Sequence, residues 1–227
     1  MKNNNQFSID YYDKIIKKGI ELGYKFVTLD EFVSLGCPKR KHCILRHDLD
    51  KKPQTLEKML LTEYQNNVKS SIFVRVTAND YNAFSYPVLR VLKKYEDLGF
   101  EIGLHTSCVE YSEINNLEPE EVLSFEHKSL NSFFNIRSVA PHRDMNYAYN
   151  SLPFLQKNWN SLKKIGFDYQ AYDDIIIENT LYVNEGVNPH LCWRNLTPEE
   201  AFKTENSVYI LTHNHWWYLD HPFEEWV

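Results

Sequence analysis

The sequence predicts an α/β protein built on a mostly parallel sheet, open or closed into a barrel. Three observations support this. Short β-branched and aromatic runs alternate with amphipathic stretches of about 10–15 residues, the pattern of repeated βαβ units. Gly or Pro marks several of the boundaries between them. Several of the short runs end in Asp, His or Arg, where a parallel sheet presents its ligand site.

Residues 11–22 place Ile15, Ile16, Ile20 and Leu22 near one helical face, and Gly23 supplies a C-terminal stop. Residues 26–29 read as a short strand, with Asp30 placed to cap a brief helix through Leu35. Cys43-Ile44-Leu45 is a strand that runs into Arg46-His47-Asp48-Leu49-Asp50. Pro53 opens a helix to about Asn66, at the first-turn position that tolerates a missing N–H. Residues 71–76 have the profile of a strand buried on both faces. A helix over 87–98 stops at Gly99 and a strand follows over 100–104. Then come a helix over 119–133, a strand over 136–140, a helix over 152–164 ending at Gly166, and a strand starting at Tyr169-Gln170-Ala171. Thr197-Pro198-Glu199-Glu200 is an N-capped helix start with Glu at the capping-box position, and 208–212 is the last strand. With no linker, repeat or low-complexity tract, the 227 residues form one domain, 1–227.

Composition narrows the function classes. The chain is 43% hydrophobic and 25% charged, with 15 Tyr, 13 Phe and 5 Trp, as in a globular protein with an aromatic-rich core or cleft. Its net charge of −6 is spread along the chain, so no nucleic-acid partner is expected. No apolar stretch approaches the ~20 residues of a membrane span. The N-terminal residues lack a signal peptide's apolar centre, which predicts a cytoplasmic protein. Cys37, Cys43, Cys108 and Cys192 show no C-x-x-C spacing and are expected as reduced thiols. No motif speaks to oligomeric state.

The polar strand ends are Asp48-Leu49-Asp50, His105-Thr106-Ser107, His142-Arg143-Asp144 and His213-Asn214-His215. Each is weak alone; four at one end of one sheet point to a hydrolytic metal site. A carboxylate and imidazoles bind zinc or a similar divalent ion and leave a position open for water. Such an ion lowers the water's pKa toward ~7. A second carboxylate takes the proton, and a His across the site returns one to the leaving group. In an extended Asp48-Leu49-Asp50 both carboxylates point the same way, so one can ligate while the other acts as base.

These stretches resemble the polysaccharide deacetylases of carbohydrate esterase family 4, the nodulation-type deacetylase homology domain. Leu45-Arg46-His47-Asp48-Leu49-Asp50 is similar to the family's Thr-Phe-Asp-Asp-Gly or Thr-Phe-Asp-x-Asp motif. Residues 68–74 resemble its second strand, and Gly99-Phe100-Glu101-Ile102-Gly103-Leu104-His105-Thr106 its Gly-His-Glu-Ile-Gly-x-His-Ser/Thr motif, the most specific of the set. Ala140-Pro141-His142-Arg143 falls where the family has Arg-x-Pro-Tyr, and Tyr209-Ile210-Leu211-Thr212-His213 matches its closing Leu-x-His. The likeness covers about residues 40–215, in the family's motif order.

The resemblance implies an irregular (β/α)7 barrel that removes an N- or O-acetyl group from a sugar or a polysaccharide-biosynthesis intermediate. It makes Asp48 the general base, Asp50 and His105 metal ligands and His213 the general acid, with the metal expected as zinc. The backbone N–H of His142 would stabilise the oxyanion. The chain departs from the family at Val109, where a second ligating His belongs. The third ligand is then expected at His142, with His215 or a carboxylate as the other candidates. The Arg that supports the base in the family is missing near Val139, and Arg143 or Arg46 would substitute. His215, Trp216 and Thr106 are expected at the substrate. Trp216-Trp217-Tyr218 forms either a sugar-stacking wall or part of the barrel core. His47 is either a partner of the site or structural, and His42, His127, His190 and His221 are structural or exposed. Two rival readings use the same residues: a degenerate sugar-binding module, suggested by Val109, and a hydrolase of another C–N bond.

Overall fold

The predicted alternation is present in a computed structural model that describes residues 7–143, 149–186 and 191–220. His190, His221, Asp144 and the Tyr147-Ala148 pair lie outside the described residues. The strands are β1 (Lys25–Val27), β2 (His42–Leu49), β3 (Ser71–Val74), β4 (Glu101–Thr106), β5 (Ser138–Pro141), β6 (Tyr169–Gln170), β7 (Leu181–Gly186), β8 (Cys192–Trp193) and β9 (Val208–His213). The helices are α1 (Ile9–Glu21), α2 (Leu29–Ser34), α3 (Pro53–Gln65), α4 (Tyr86–Asp97), α5 (Cys108–Asn115), α6 (Pro119–Asn131), α7 (Ser151–Leu162), α8 (Asp174–Ile177) and α9 (Pro198–Phe202).

The sheet runs β6-β5-β4-β3-β2-β9-β7-β8, with β1 paired to the first part of β2. Among the described residues, the pairings between these strands are parallel except β7–β8. The sheet curls into a half-barrel flanked by helices, consistent with an irregular (β/α) barrel. Among the described residues β6 and β8 are its edges. The hydroxyls of Tyr172, just after β6, and Tyr182, on β7, meet at 3.1 Å between the two ends of the sheet.

Alternation along each strand sorts side chains into two environments. On β2, Ile44 joins an inner cluster with Phe73, Ala140, Tyr169 and Tyr209, one residue from each of five strands. Cys43, Leu45 and Leu49 instead pack outward beneath the helices. Gly103 on β4 is required inside: a Cβ there would lie 2.5 Å from the Phe73 ring and 2.6 Å from Ser138 Oγ. That glycine belongs to the Glu-Ile-Gly-x-His-Thr stretch and lets the Phe73 ring pass beside β4.

Some boundaries move for identifiable reasons. The strand predicted over 26–29 ends at Val27, because Thr28, not Asp30, caps α2. Thr28 Oγ1 accepts from the Glu31 N–H at 3.1 Å, and Glu31 returns a bond to the Thr28 N–H, forming a capping box. The helix α5 was not anticipated; its buried residues Cys108, Glu110 and Ser112 form no apolar stripe. Strand β7 was missed as well, since Asn184 and Glu185 interrupt its apolar run.

Candidate active site

The four polar strand ends do converge. Arg46 and Asp48 share the inner face of β2, two residues apart, and Asp50 follows just beyond the strand. On β9, His213 is the direct neighbour of Asp48 in the parallel pairing. His105 arrives from β4, and His142 follows β5 immediately. Asp48, Asp50, His105, His142 and His213 line one cleft of about 330 Å³. An apolar groove of similar size between α3 and α4 contains none of these groups.

Asp50 sits at the centre. His105 Nε2 is 3.4 Å and His142 Nε2 3.9 Å from its Oδ1, and His213 Nε2 is 3.6 Å from its Oδ2. Asp50 Oδ1 is buried and has no hydrogen-bond partner of good geometry. Burial opposes ionisation of Asp50, but the adjacent His105, His213 and His142 hold its carboxyl well below the usual range. His142 is pushed down to about 3, by burial first and then by His105, so its ring is neutral at physiological pH.

Among the described residues, no group of three or more His, Cys, Asp or Glu is closed up as a ready metal site. The donor chemistry nevertheless fits a zinc-type ion: an unpartnered carboxylate oxygen, with imidazole nitrogens on either side. Two donors each ~2.1 Å from a tetrahedral ion stand roughly 3.4 Å apart, which matches Asp50 to His105; His142 stands about half an ångström wider. Arg75, the residue immediately after β3, also approaches His142, with Nη1 3.3 Å from Nε2 and Nη2 donating to Ser107 Oγ at 2.9 Å.

Asp48 Oδ2 also stands 3.5 Å from His105 Nε2, but its carboxylate has a further partner. Arg46 grips both of its oxygens, Nε to Oδ1 and Nη2 to Oδ2, each at 2.7 Å. Of the two arginines considered from sequence, it is Arg46 that pairs with Asp48. The Arg46 guanidinium is fully buried, 5.0 Å from the Phe73 ring and 4.8 Å from the Tyr172 ring, and donates to Tyr209 Oη at 3.3 Å. Burial disfavours the Asp48 charge, but Arg46, then His105 and His213, keep the carboxyl below its usual range. Arg143 is exposed on the cleft wall instead.

His213 is held by a residue that sequence reading missed. Glu185 on β7 accepts from the His213 backbone N–H at 2.6 Å and lies 2.5 Å from Nδ1. Burial would lower the His213 pKa, but Glu185, with Asp50 and Asp48, raises it to about 9. Asn214 ties the end of β9 to the segment after Asp50. Its Nδ2 donates to the carbonyls of Lys51 and Lys52 at 2.9 and 2.7 Å.

Other expected site residues separate cleanly. His215 and Trp216 line the cleft, their rings 4.4 Å apart, and His215 is kept neutral at about 4 by burial and by His213. Trp217 turns the other way and is core: it is 1% exposed, and its Nε1 donates to Thr212 Oγ1 at 2.6 Å. His47 also faces outward, its Nε2 2.6 Å from Glu63 Oε1, a group that Tyr12 contacts from α1. Tyr81, in the loop after β3, donates to the Leu49 carbonyl at 2.7 Å.

Two expectations are corrected. The His142 N–H donates to the Thr106 carbonyl at 2.8 Å, so it is not free to stabilise an oxyanion. Thr106 alternates with His105 and points away from the cleft, donating to Glu126 Oε2 at 2.5 Å. Glu126 also accepts from Thr77 at 3.0 Å, and burial lifts its carboxyl to about 7. Its pKa when folded therefore exceeds the unfolded value, so its contribution to stability is complete below about pH 4.5 and declines as pH rises to about 7. Glu126→Gln is expected to match wild type in acid and to be more stable by about 1–3 kcal/mol at pH 8. Urea melts across pH would read the difference, and parallel stability curves would exclude it.

No protein-family model and no curated protein matches the chain. Among solved structures, the chain is similar to Streptococcus pyogenes deacetylase PplD in complex with acetate, with a TM-score of 0.52. The match covers 87% of this chain and 86% of that one, at 16% identity. The fold is deacetylase-like. The convergence of Asp48, Asp50, His105, His142 and His213 rests on this chain's own geometry.

Proposed function

We propose that this protein is a metal-dependent hydrolase that removes an acetyl group from an acetylated sugar or a polysaccharide-biosynthesis intermediate. The observation that carries the reading is the placing of two opposite electrostatic environments side by side in one cleft. Arg46 grips both oxygens of Asp48, which favours the carboxylate, and Glu185 contacts His213 Nδ1, which favours the imidazolium, on neighbouring strands. A hydrolytic base must be ionised and its partner acid protonated at the same pH, and these surroundings favour that combination. The acetyl-sugar chemistry is suggested by the motif resemblance and by the deacetylase-like fold.

Asp50, His105 and His142 would hold a divalent ion, expected as zinc. When bound, such an ion supplies Lewis acidity and a more acidic water. Asp48 accepts the proton of the attacking water, while Arg46 keeps the carboxylate ionised and oriented. His213 donates from Nε2 to the departing amine or alcohol, and Glu185 steadies the cation beforehand. Trp216 and His215, their rings inclined at 46° to one another, offer aromatic surface beside the cleft for a sugar ring.

Metal analysis of the purified protein together with acetate release from a panel of N- and O-acetyl sugars tests this reading. One divalent ion per chain is expected, lost in Asp50→Ala and His105→Ala variants that still fold. Acetate release should fall as pH rises through about 9, where His213 loses its proton. Wild-type protein that takes up no divalent ion when supplied with it, or releases acetate from none of the sugars, would overturn the reading.

A further inference from the structure

We propose that Arg143 and Arg194 form an anion-binding subsite on the wall of the catalytic cleft, so that the preferred sugar carries a carboxylate or phosphate group. Both side chains line the same cleft as Asp50, His105 and His213, one following β5 and the other following β8. Both are exposed to solvent.

Among the described residues, no ion pair matches either charge. Arg40, Arg46, Arg75 and Arg137 each have a carboxylate within 4 Å. Among the described residues no such partner accompanies Arg143 or Arg194, although the cleft contains three carboxylates. Those three are already engaged: Asp48 by Arg46, Glu185 by His213, and Asp50 among the imidazoles. Two unmatched guanidinium groups in one concave site of a chain with net charge −6 form a local positive wall. The planar guanidinium fork suits the paired oxygens of carboxylate and phosphate.

The backbone beneath Arg194 is shaped for it. A Cβ at Gly186 would stand 2.8 Å from both Arg194 Cγ and Nε, so the stem of Arg194 lies across the bare backbone there. The Arg194 N–H donates to the Asn184 carbonyl at 3.0 Å, which fixes where that stem begins. Gly186 follows Glu185, so the same strand that steadies the proton donor also seats the arginine. An anionic group bound here would hold the sugar against the wall while its acetyl group reaches the cleft floor. The subsite depends on the proposed deacetylase function only for the identity of the carrier, an acetylated sugar.

Calorimetric binding by the whole protein tests the proposal, with N-acetylglucosamine, N-acetylglucosamine 1-phosphate and N-acetylmuramic acid as probes. At least one charged sugar is expected to bind roughly tenfold tighter than the neutral one, with the preference shrinking as salt rises. The arm that shows it tells phosphate from carboxylate. Arg143→Gln and Arg194→Gln should each cut the preference several-fold. Gly186→Ala, which removes no charge, should cut it too by displacing Arg194. Arg90→Gln, at an exposed arginine on the groove between α3 and α4, should leave it intact. Charged sugars that bind no tighter than the neutral one, or do not bind, overturn the subsite, as does a preference that survives both arginine variants. Selective binding without acetate release would uphold the subsite and remove the deacetylase reading. Acetate release at equal efficiency from neutral and charged sugars would remove the subsite alone.

Discussion

Asp48→Asn is expected to lower kcat by roughly 10²–10⁴-fold while the divalent ion stays bound. The amide keeps the shape of the carboxylate but cannot accept the water's proton, and it would face the Arg46 fork with only one acceptor oxygen. Asp50, whose Oδ1 faces His105 and His142, is untouched by the change. Steady-state acetate release and metal content measured on the same sample separate the two effects. Loss of the ion with the activity would mean that Asp48 ligates and Asp50 acts as the base. Turnover close to wild type would remove Asp48 from the chemistry altogether.

Arg46→Leu is expected to destabilise the fold by about 3–5 kcal/mol near neutral pH, because it leaves the Asp48 carboxylate buried without its countercharge. In the wild type the Asp48 pKa is lowered on folding, so its stabilising contribution is present above the unfolded pKa and is lost as pH falls through the folded one. Without Arg46, burial raises the folded pKa instead, and the variant regains stability as acid protonates Asp48. The gap between variant and wild type should therefore narrow toward pH 4 or below in urea melts. Arg46→Lys restores the charge without the bidentate grip and should fall between them. A neutral-pH midpoint unchanged in Arg46→Leu would show that the pair does not anchor the strand.

Much of the architecture was readable because strand periodicity and Gly or Pro punctuation are local properties. The polar ends of β2, β4, β5 and β9 were also readable, and parallel pairing then brings such ends together at one rim. The facing of single residues was the harder part. Arg46 and Asp48 are two residues apart on a strand, which already places them on one face, whereas Arg143 lies on another strand end entirely. The same rule puts Thr106 opposite His105, on Glu126 and away from the substrate cleft. Glu185 carried no local signal: it meets His213 across 28 residues of chain, from a strand whose apolar run is broken. Trp216 and Trp217 are adjacent in sequence but part company where the chain turns after β9, one to the cleft and one to the core.

The charges on both sides of β2 have a consequence for register. Arg46 and Asp48 face inward, while His47, between them, meets Glu63 and Tyr12 on the helical side. Sliding the strand by a single residue would reverse every facing at once. It would thrust an arginine and an aspartate into the apolar layer under α1 and α3, and bring Leu45 and Leu49 to the cleft. Hydrophobic strands can tolerate near-degenerate alignments; this one is penalised on two fronts for any shift. The catalytic geometry is thus guarded by a polar contact on the reverse side of the sheet, one that no substrate touches.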